Sequence, residues 1–375
     1  MSDFIPVNEP LLNGNEKKYL CECIDTGWIS SEGPFVKEFE SKFSKTVNRE
    51  FGISVTNGTA ALEIAVRAIG ITEGDEVIMP TFTIISCAEA VTRVGGVPVL
   101  VDSDPDTWNM CVDQIESKIT PKTKAIMVVH IYGLPVDMDK VLDIAKRHNL
   151  KIVEDAAEMH GQTYNGRPCG SFGDISIFSF YPNKHITTGE GGMIVTNDEE
   201  LAEKCRSYRN LCFQRDVRYV HEELSGNYRF TNLQAAVGLA QLERLEEFVE
   251  KKRNMGRRYT ELLKDVKGIK LPKEYEGDNQ NIYWVYGIVL GDEIKCDNRE
   301  FVKNLGEKGV GSRTFFWCMH EQPVYTERGL FKNEKYPVAE KLARKGLYIP
   351  SGLALTDEQI ECVADVVRQL ITEFV

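Results

Sequence analysis

A lysine stands alone at position 184, just past the run Ile175–Phe180 (ISIFSF) and ahead of a Gly-Glu-Gly-Gly turn at 189–192 and a second apolar run, Met193–Val195. The first run predicts a buried strand. A lysine in a walled turn beyond such a strand loses water, and desolvation favours its neutral amine. That is the form a Schiff-base lysine needs. A surface lysine in a glycine-rich loop fits the same stretch. Upstream, Lys151–Glu154 predicts a strand ending at Asp155, followed by the small residues Ala156 and Ala157. A carboxylate there suits a pyridinium nitrogen that must stay protonated, as in a pyridoxal phosphate (PLP) site. Thr56-Asn57-Gly58-Thr59-Ala60-Ala61-Leu62 predicts a turn opening a helix, with free amides for a phosphate. Amine, carboxylate and amide cradle together describe one cofactor held at three points.

These residues need a scaffold, and the pattern supplies one. Strand-like runs fall at Gly52–Val55, Glu76–Met79, Val97–Val101, Ala125–His130, Lys151–Glu154, Ile175–Phe180 and Gly192–Thr196. Helical stretches at Ala60–Ala68, Ser86–Arg93, Val112–Ile119 and Met138–His148 separate most of them. The alternation predicts an α/β domain with a seven-stranded, mainly parallel sheet. Function in such sheets gathers at the carboxyl ends of the strands, where Asp155 and Lys184 fall. Two helices precede it: Asn13–Asp25, with Tyr19, Leu20, Cys23 and Ile24 as its apolar face, and one opened by Gly33-Pro34, where Phe35, Phe39 and Phe43 make a core stripe. A further helix is expected at Glu199–Tyr208. The periodic stretch Leu233–Leu263 is too long for one straight helix. The remainder predicts strands at Ile282–Leu290, Gly311–Trp317 and Leu347–Ile349 and helices at Arg299–Lys308, Ala339–Lys345 and Asp357–Phe374. The expected division is a large α/β domain over residues 1–240 and a smaller α+β C-terminal domain over 241–375.

The 375 residues are 42% apolar and 27% charged, ordinary for a globular protein. A formal net charge of -12 argues against nucleic acid as the main partner, though a local basic pocket can still meet anionic substrates. The ten cysteines include no C-x-x-C pair, and most sit in apolar patterns, which predicts reduced thiols in a cytoplasmic protein. No signal segment or membrane-spanning run is evident.

The chain resembles fold-type-I PLP enzymes, and among them the sugar aminotransferases of the DegT/DnrJ/EryC1/StrS family. The resemblance runs through PVNEPLLNGNEKKYL, GWISSEGPFVKEFE, TNGTAAL, GDEVIMPTFT, VVHIYGLPVDM, VEDAAEMHG, GSFGDISIFSFYPNKHITTGEGGMI, GNYRFTNLQAA and SRTFF. Within the family it is most similar to the perosamine-synthase subgroup, which aminates C4 of a nucleotide-linked 4-keto-6-deoxyhexose. The resemblance implies that Lys184 is the Schiff-base lysine and proton carrier, and that Asp155 faces the pyridine nitrogen. It implies Glu158 near the cofactor's 3-oxygen, Ile84 against the ring face where relatives place an aromatic, and Gly58, Thr59 and Ser179 at the phosphate. Asn227 matches a residue reaching the phosphate of a neighbouring subunit, so a homodimer with shared active sites is implied. The reaction implied uses L-glutamate to convert PLP to pyridoxamine 5'-phosphate, whose amine then passes to a keto or aldehyde sugar destined for lipopolysaccharide or another surface glycan. Arg313 is a candidate for an anion. His185, His320, Trp28 and Tyr219 are candidates for the substrate mouth, with core or interface packing an equal reading for the last two. No metal-ligand spacing is present.

The acceptor side departs from the subgroup. LCFQRDVRYVHEEL lacks its glycine-rich pattern, YPNKH replaces F-G-N-K-T, and SRTFFWCMH replaces S-R-P-x-F-x-P-x-H. A free acidic sugar, 8-oxo-3-deoxy-octulosonate going to its 8-amino form, therefore stays open, with Arg313, Arg215 or Arg218 to meet a carboxylate. Sugar dehydratases of the same fold carry His in place of the lysine, so Lys184 argues against that branch, with His185 adjacent. A non-catalytic regulatory homologue would not be expected to retain Asp155, Ser179, Lys184 and Asn227 together. An NAD(P) enzyme lacks support, because the glycine cluster at 189–192 is not G-x-G-x-x-G. His130 is expected to be a hydrogen-bonded structural residue, and His160 to pack near the cofactor.

Overall fold

The computed structural model describes residues 4–213, 217 and 219–375. Helices α1 (Glu16–Thr26) and α2 (Pro34–Thr46) come first. Strand β1 (Phe51–Val55), α3 (Gly58–Ala68), β2 (Glu76–Pro80), α4 (Ile85–Arg93), β3 (Val97–Val101), β4 (Thr123–Val129), α5 (Met138–His148) and β5 (Lys151–Asp155) follow. A small hairpin, β6 (Thr163–Tyr164) and β7 (Arg167–Pro168), leads to β8 (Ile175–Ser179) and β9 (Gly192–Thr196). Helices α6 (Glu199–Arg209), α7 (Asn232–Leu242) and α8 (Leu245–Leu263) come next. The C-terminal part holds β10 (Ile269–Lys270), the hairpin β11 (Tyr275–Glu276) and β12 (Asn279–Gln280), β13 (Tyr286–Leu290) and α9 (Asn298–Glu307). It ends with β14 (Arg313–Thr314), α10 (Pro323–Thr326), α11 (Pro337–Lys345), β15 (Gly346–Ile349) and α12 (Asp357–Phe374).

Seven strands form one sheet in the order β1-β9-β8-β5-β4-β2-β3, and only β9 runs against the others. Its central strands are apolar on both faces because helices cover both. The phenylalanine stripe of α2 enters this core: Phe43 meets Phe178 and Phe180 edge-on at 4.8 and 5.2 Å. A second, antiparallel sheet has the order β10-β13-β15-β14. Residues near the N-terminus lie along it. Ile5 pairs with Val310, and the Ser351 N–H donates to the Val7 carbonyl at 2.9 Å.

Leu233–Leu263 is not one straight helix, as its length predicts: it divides into α7 and α8 where Arg244 leaves helical geometry (φ -117°, ψ 15°), its guanidinium holding Glu247 in the first turn of α8. Other expectations change. The Val112–Ile119 stretch forms two short 3₁₀ turns rather than an α-helix, and Gln114 there accepts the Asp102 N–H at 2.9 Å. Ile282–Val285 does not extend β13. Tyr283 sits at φ 49°, in the left-handed region, with its N–H on Asn281 Oδ1 at 2.6 Å. Only Cys23 of the expected apolar face of α1 is fully buried, and Ile24 is exposed.

Candidate active site

Two neighbouring strands, β5 and β8, end side by side and present the two chemical groups. Beyond β8 the chain turns so that the Lys184 N–H donates to the Tyr181 carbonyl at 2.9 Å. Two groups from far along the chain hold this turn: Asn8 Nδ2 donates to the Pro182 carbonyl and Trp284 Nε1 to the Asn183 carbonyl, both at 2.9 Å. Lys184 Nζ points inward, 3.9 Å from the centre of the Trp284 ring and 3.8 Å from Glu158 Oε1. Burial pushes the lysine's pKa down, against the charges of Glu158 and Asp155. The side chain is thereby biased toward the nucleophilic amine.

Asp155 closes β5. Its Oδ1 accepts the Ala157 N–H at 3.0 Å and its Oδ2 the Cys87 thiol at 3.3 Å. Burial raises its pKa, opposed by those two donors and by Lys184. Glu158 Oε2 accepts the Tyr132 N–H at 2.8 Å, from a residue at φ 57°. Burial raises the Glu158 carboxyl to about 8, while Lys184 pulls it down. A buried acid and a buried amine thus stand together, each disfavoured in its charged form.

The third grip is the start of α3. Asn57 caps it, its side chain taking the Ala60 N–H at 2.8 Å and its carbonyl the Ala61 N–H at 3.1 Å. Among the described residues the amides of Gly58 and Thr59 take no partner, so they are the helix's free donors. Glycine is required by space: a Cβ at Gly58 would lie 2.9 Å from Ser179 Cβ, and one at Gly192 would lie 2.5 Å from the Asn57 carbonyl. The second glycine accounts for part of the cluster before β9, which must pass close to this helix start.

These groups meet in one cavity of about 820 Å³. Gly58, Thr59, Ile84, Asp155, Glu158, Ser179 and Lys184 all line it. The residues fit PLP: a buried amine for the aldehyde, a buried carboxylate, and free amides beside Ser179 for the phosphate. His130 also lines it, but its Nδ1 accepts the Val136 N–H at 3.0 Å, so Nε2 carries the proton toward Glu154 at 3.1 Å. His160 packs among Phe43, Phe178 and Phe180, its pKa lowered to about 3 by burial and by Lys184.

The substrate-side expectations fare differently. His185 does not face the cavity: it is wholly buried, and its Nε2 meets the Ile282 carbonyl at 3.1 Å. His320 is likewise turned away, held between Thr81 Oγ1 at 2.8 Å and Glu340 Oε1 at 3.2 Å. Trp28 and Tyr219 are exposed and outside the lining of their own chain's cavity, as is Asn227. Arg313 is exposed on β14, opposite Tyr348, which does line the cavity. Arg215 and Arg218 lie outside the described residues.

The far wall, Trp284, Phe316 and Tyr348, is hidden in the sequence, because aromatic residues in strand-like runs read as core. So is the mouth, where Arg93 Nε meets Glu63 Oε1 at 2.9 Å and the Tyr228 hydroxyl donates to Glu63 Oε2 at 3.1 Å. No periodic signal distinguishes these from ordinary helix-surface charges.

A buried lysine and carboxylate at the strand ends of this sheet define a fold-type-I PLP enzyme, and solved structures of such enzymes superpose on the whole chain. The chain belongs to the DegT/DnrJ/EryC1/StrS aminotransferase family, whose model matches residues 10–368. It is 42% identical to a GDP-perosamine synthase of Escherichia coli O157:H7, over 99% of both chains. It is 42% identical to the GDP-perosamine synthase of Caulobacter vibrioides, over 99% of this chain and 100% of the relative. The crystal structure of S. venezuelae DesV in complex with a ketimine intermediate matches with a TM-score of 0.91 and 32% identity, covering 99% of each chain. The activity is PLP-dependent transamination of a keto sugar.

Proposed function

We propose that this chain transfers the amino group of L-glutamate to C4 of a nucleotide-linked 4-keto-6-deoxyhexose, with a GDP-linked sugar as the acceptor. The observation that carries this reading is full-length identity of 42% to two GDP-perosamine synthases in a chain whose cavity joins Lys184 and Asp155. PLP, when bound, supplies an electron sink and carries the amino group between substrates. Lys184 would hold the cofactor through its amine and carry protons at Nζ. Asp155, at the end of β5, would keep the ring nitrogen protonated. Glu158 would hold or give a proton beside Lys184, Gly58, Thr59 and Ser179 would bind the phosphate, and Ile84 would offer an apolar surface to the ring.

Asn227, exposed and outside its own cavity, reaches a partner's phosphate in a homodimer. The reading also takes the reaction to be cytoplasmic and its product to enter lipopolysaccharide or another surface glycan. No helix among the described residues is long and apolar enough to cross a membrane. The division into domains at 1–240 and 241–375 draws on the third core cluster, which apart from Ile5 is built from Met255 onward, while Trp284, Phe315 and Tyr336 join the first cluster, that of the large sheet. The test is a panel of acceptors with PLP and glutamate, read by mass spectrometry. The reading requires a GDP-linked 4-keto-6-deoxyhexose to gain an amine faster than UDP- or dTDP-linked analogues or 8-oxo-3-deoxy-octulosonate. Preference for any of the others would replace the acceptor.

A further inference from the structure

Lys252, on α8, is 1% exposed. Among the described residues, the titratable groups whose charge reaches it are Lys184 and His185, both cationic when protonated. Its ammonium is satisfied by two main-chain carbonyls, that of Trp284 at 2.9 Å and that of Ser351. A buried ammonium without a carboxylate is costly, and burial, aided by the charge of Lys184, lowers its pKa to about 7. Packing alone would be better served by methionine or leucine at this position. What the lysine adds is a fixed place for Trp284. The same residue lays its indole 3.9 Å from Lys184 Nζ and donates from Nε1 to the Asn183 carbonyl at 2.9 Å. Ser351 is a firm anchor, since its hydroxyl accepts the Tyr286 N–H at 2.9 Å and donates to the Ile349 carbonyl at 2.7 Å. A continuous run of contacts therefore joins α8 to the turn that carries Lys184.

We propose that Lys252 is a positioning residue for the amine of Lys184, fixing the main chain of Trp284 so that the indole covers that amine and shields it from water. The proposal rests on Lys184 as the reacting amine. It assigns to a residue outside the cavity the task of keeping that amine enclosed between Trp284 and Glu158.

The test uses the full chain stripped of cofactor, with every lysine labelled competitively by acetic anhydride and the rate at Lys184 read by mass spectrometry. Lys252→Met is expected to raise that rate several-fold, because the displaced indole opens the amine to the reagent. Trp284→Ala is expected to raise it at least as much, and Lys252→Met then to add nothing in the Trp284→Ala background. Lys252→Gln, which keeps an N–H donor, is expected to fall between wild type and Lys252→Met, and it completes the same cycle if Lys252→Met does not fold. A Lys184 rate unchanged by substitution at Lys252, even with reduced thermal stability, overturns the proposal. So does an equal change with and without the indole. No cofactor enters this measurement, so its failure is distinguishable from failure of Lys184 as the cofactor lysine, which cofactor trapping decides.

Discussion

Lys184 Nζ and Glu158 Oε1 stand 3.8 Å apart in a cavity from which both draw almost no solvation. Burial raises the carboxyl and lowers the amine, so the pair favours sharing one proton over carrying two full charges. A proton reserve beside the reacting amine suits a reaction that moves protons in both half-cycles.

Glu158 makes one contribution to the pH dependence of stability, opposed by Lys184, whose lowered pKa acts in the other sense. The folded pKa of Glu158, about 8, lies above the ordinary 4.5, so between those values its folded state binds more protons than the unfolded one. Stability attributable to this group is therefore full at low pH and falls as pH rises through that window. Glu158→Gln is expected to flatten the fall between about pH 4.5 and about 8. Chemical denaturation across that range checks it, and an unchanged slope would mean that Glu158 is ionised in the folded state throughout.

Replacing Lys184 by alanine is expected to lower turnover by about 10²–10⁴-fold, the usual scale for losing a positioned proton carrier. The cavity should survive, since the turn is held by Asn8 and Trp284 through main-chain carbonyls. Stopped-flow absorbance of the glutamate half-reaction measures it. Near-normal rates would assign the proton transfer to another group.

Asp155→Ala is expected to leave the fold intact and slow the glutamate half-reaction by about 10²-fold or more, because the ring nitrogen loses its fixed negative partner. Single-turnover kinetics with saturating PLP separate this loss from weakened binding. A rate within twofold of wild type would remove Asp155 from the chemistry.

Gly58→Ala places a methyl 2.9 Å from Ser179 Cβ, the first side-chain atom, which cannot swing away as a flexible tip would. Crowding of this kind costs about 1–3 kcal/mol, and here it displaces the donors meant for the phosphate. PLP affinity, measured by equilibrium dialysis, is expected to drop while secondary structure stays intact. Unaltered affinity would place the phosphate elsewhere.

The shared-site dimer can be checked by mixing two inactive variants, Lys184→Ala and Asn227→Ala. If Asn227 serves the partner's cofactor, mixed dimers should recover about a quarter of wild-type activity, one intact site in two forming in half of the molecules, in line with closed symmetric assembly. No recovery after subunit exchange would confine Asn227 to its own chain.

Much of the sheet was legible because its strands are short β-branched runs with helices between them, and both chemical groups sit at strand ends where an α/β fold puts them. Val97–Val101 and Met138–His148 have the bounds the sequence predicts. The far wall was not legible, because Trp284 reaches the cavity only through the left-handed turn at Tyr283, which an apolar run conceals. His185 and His320 misled for a related reason: proximity in sequence to a site residue does not fix which way a side chain points. His185 follows Lys184 directly, yet the same turn that aims the lysine inward sends the imidazole toward Ile282.

The chemistry of this cavity depends most directly on which nitrogen the cofactor joins. Protein saturated with PLP, reduced with borohydride and digested, should carry the cofactor's added mass on the single peptide containing Lys184 and nowhere else. Label on any other lysine, or none at all, would contradict it.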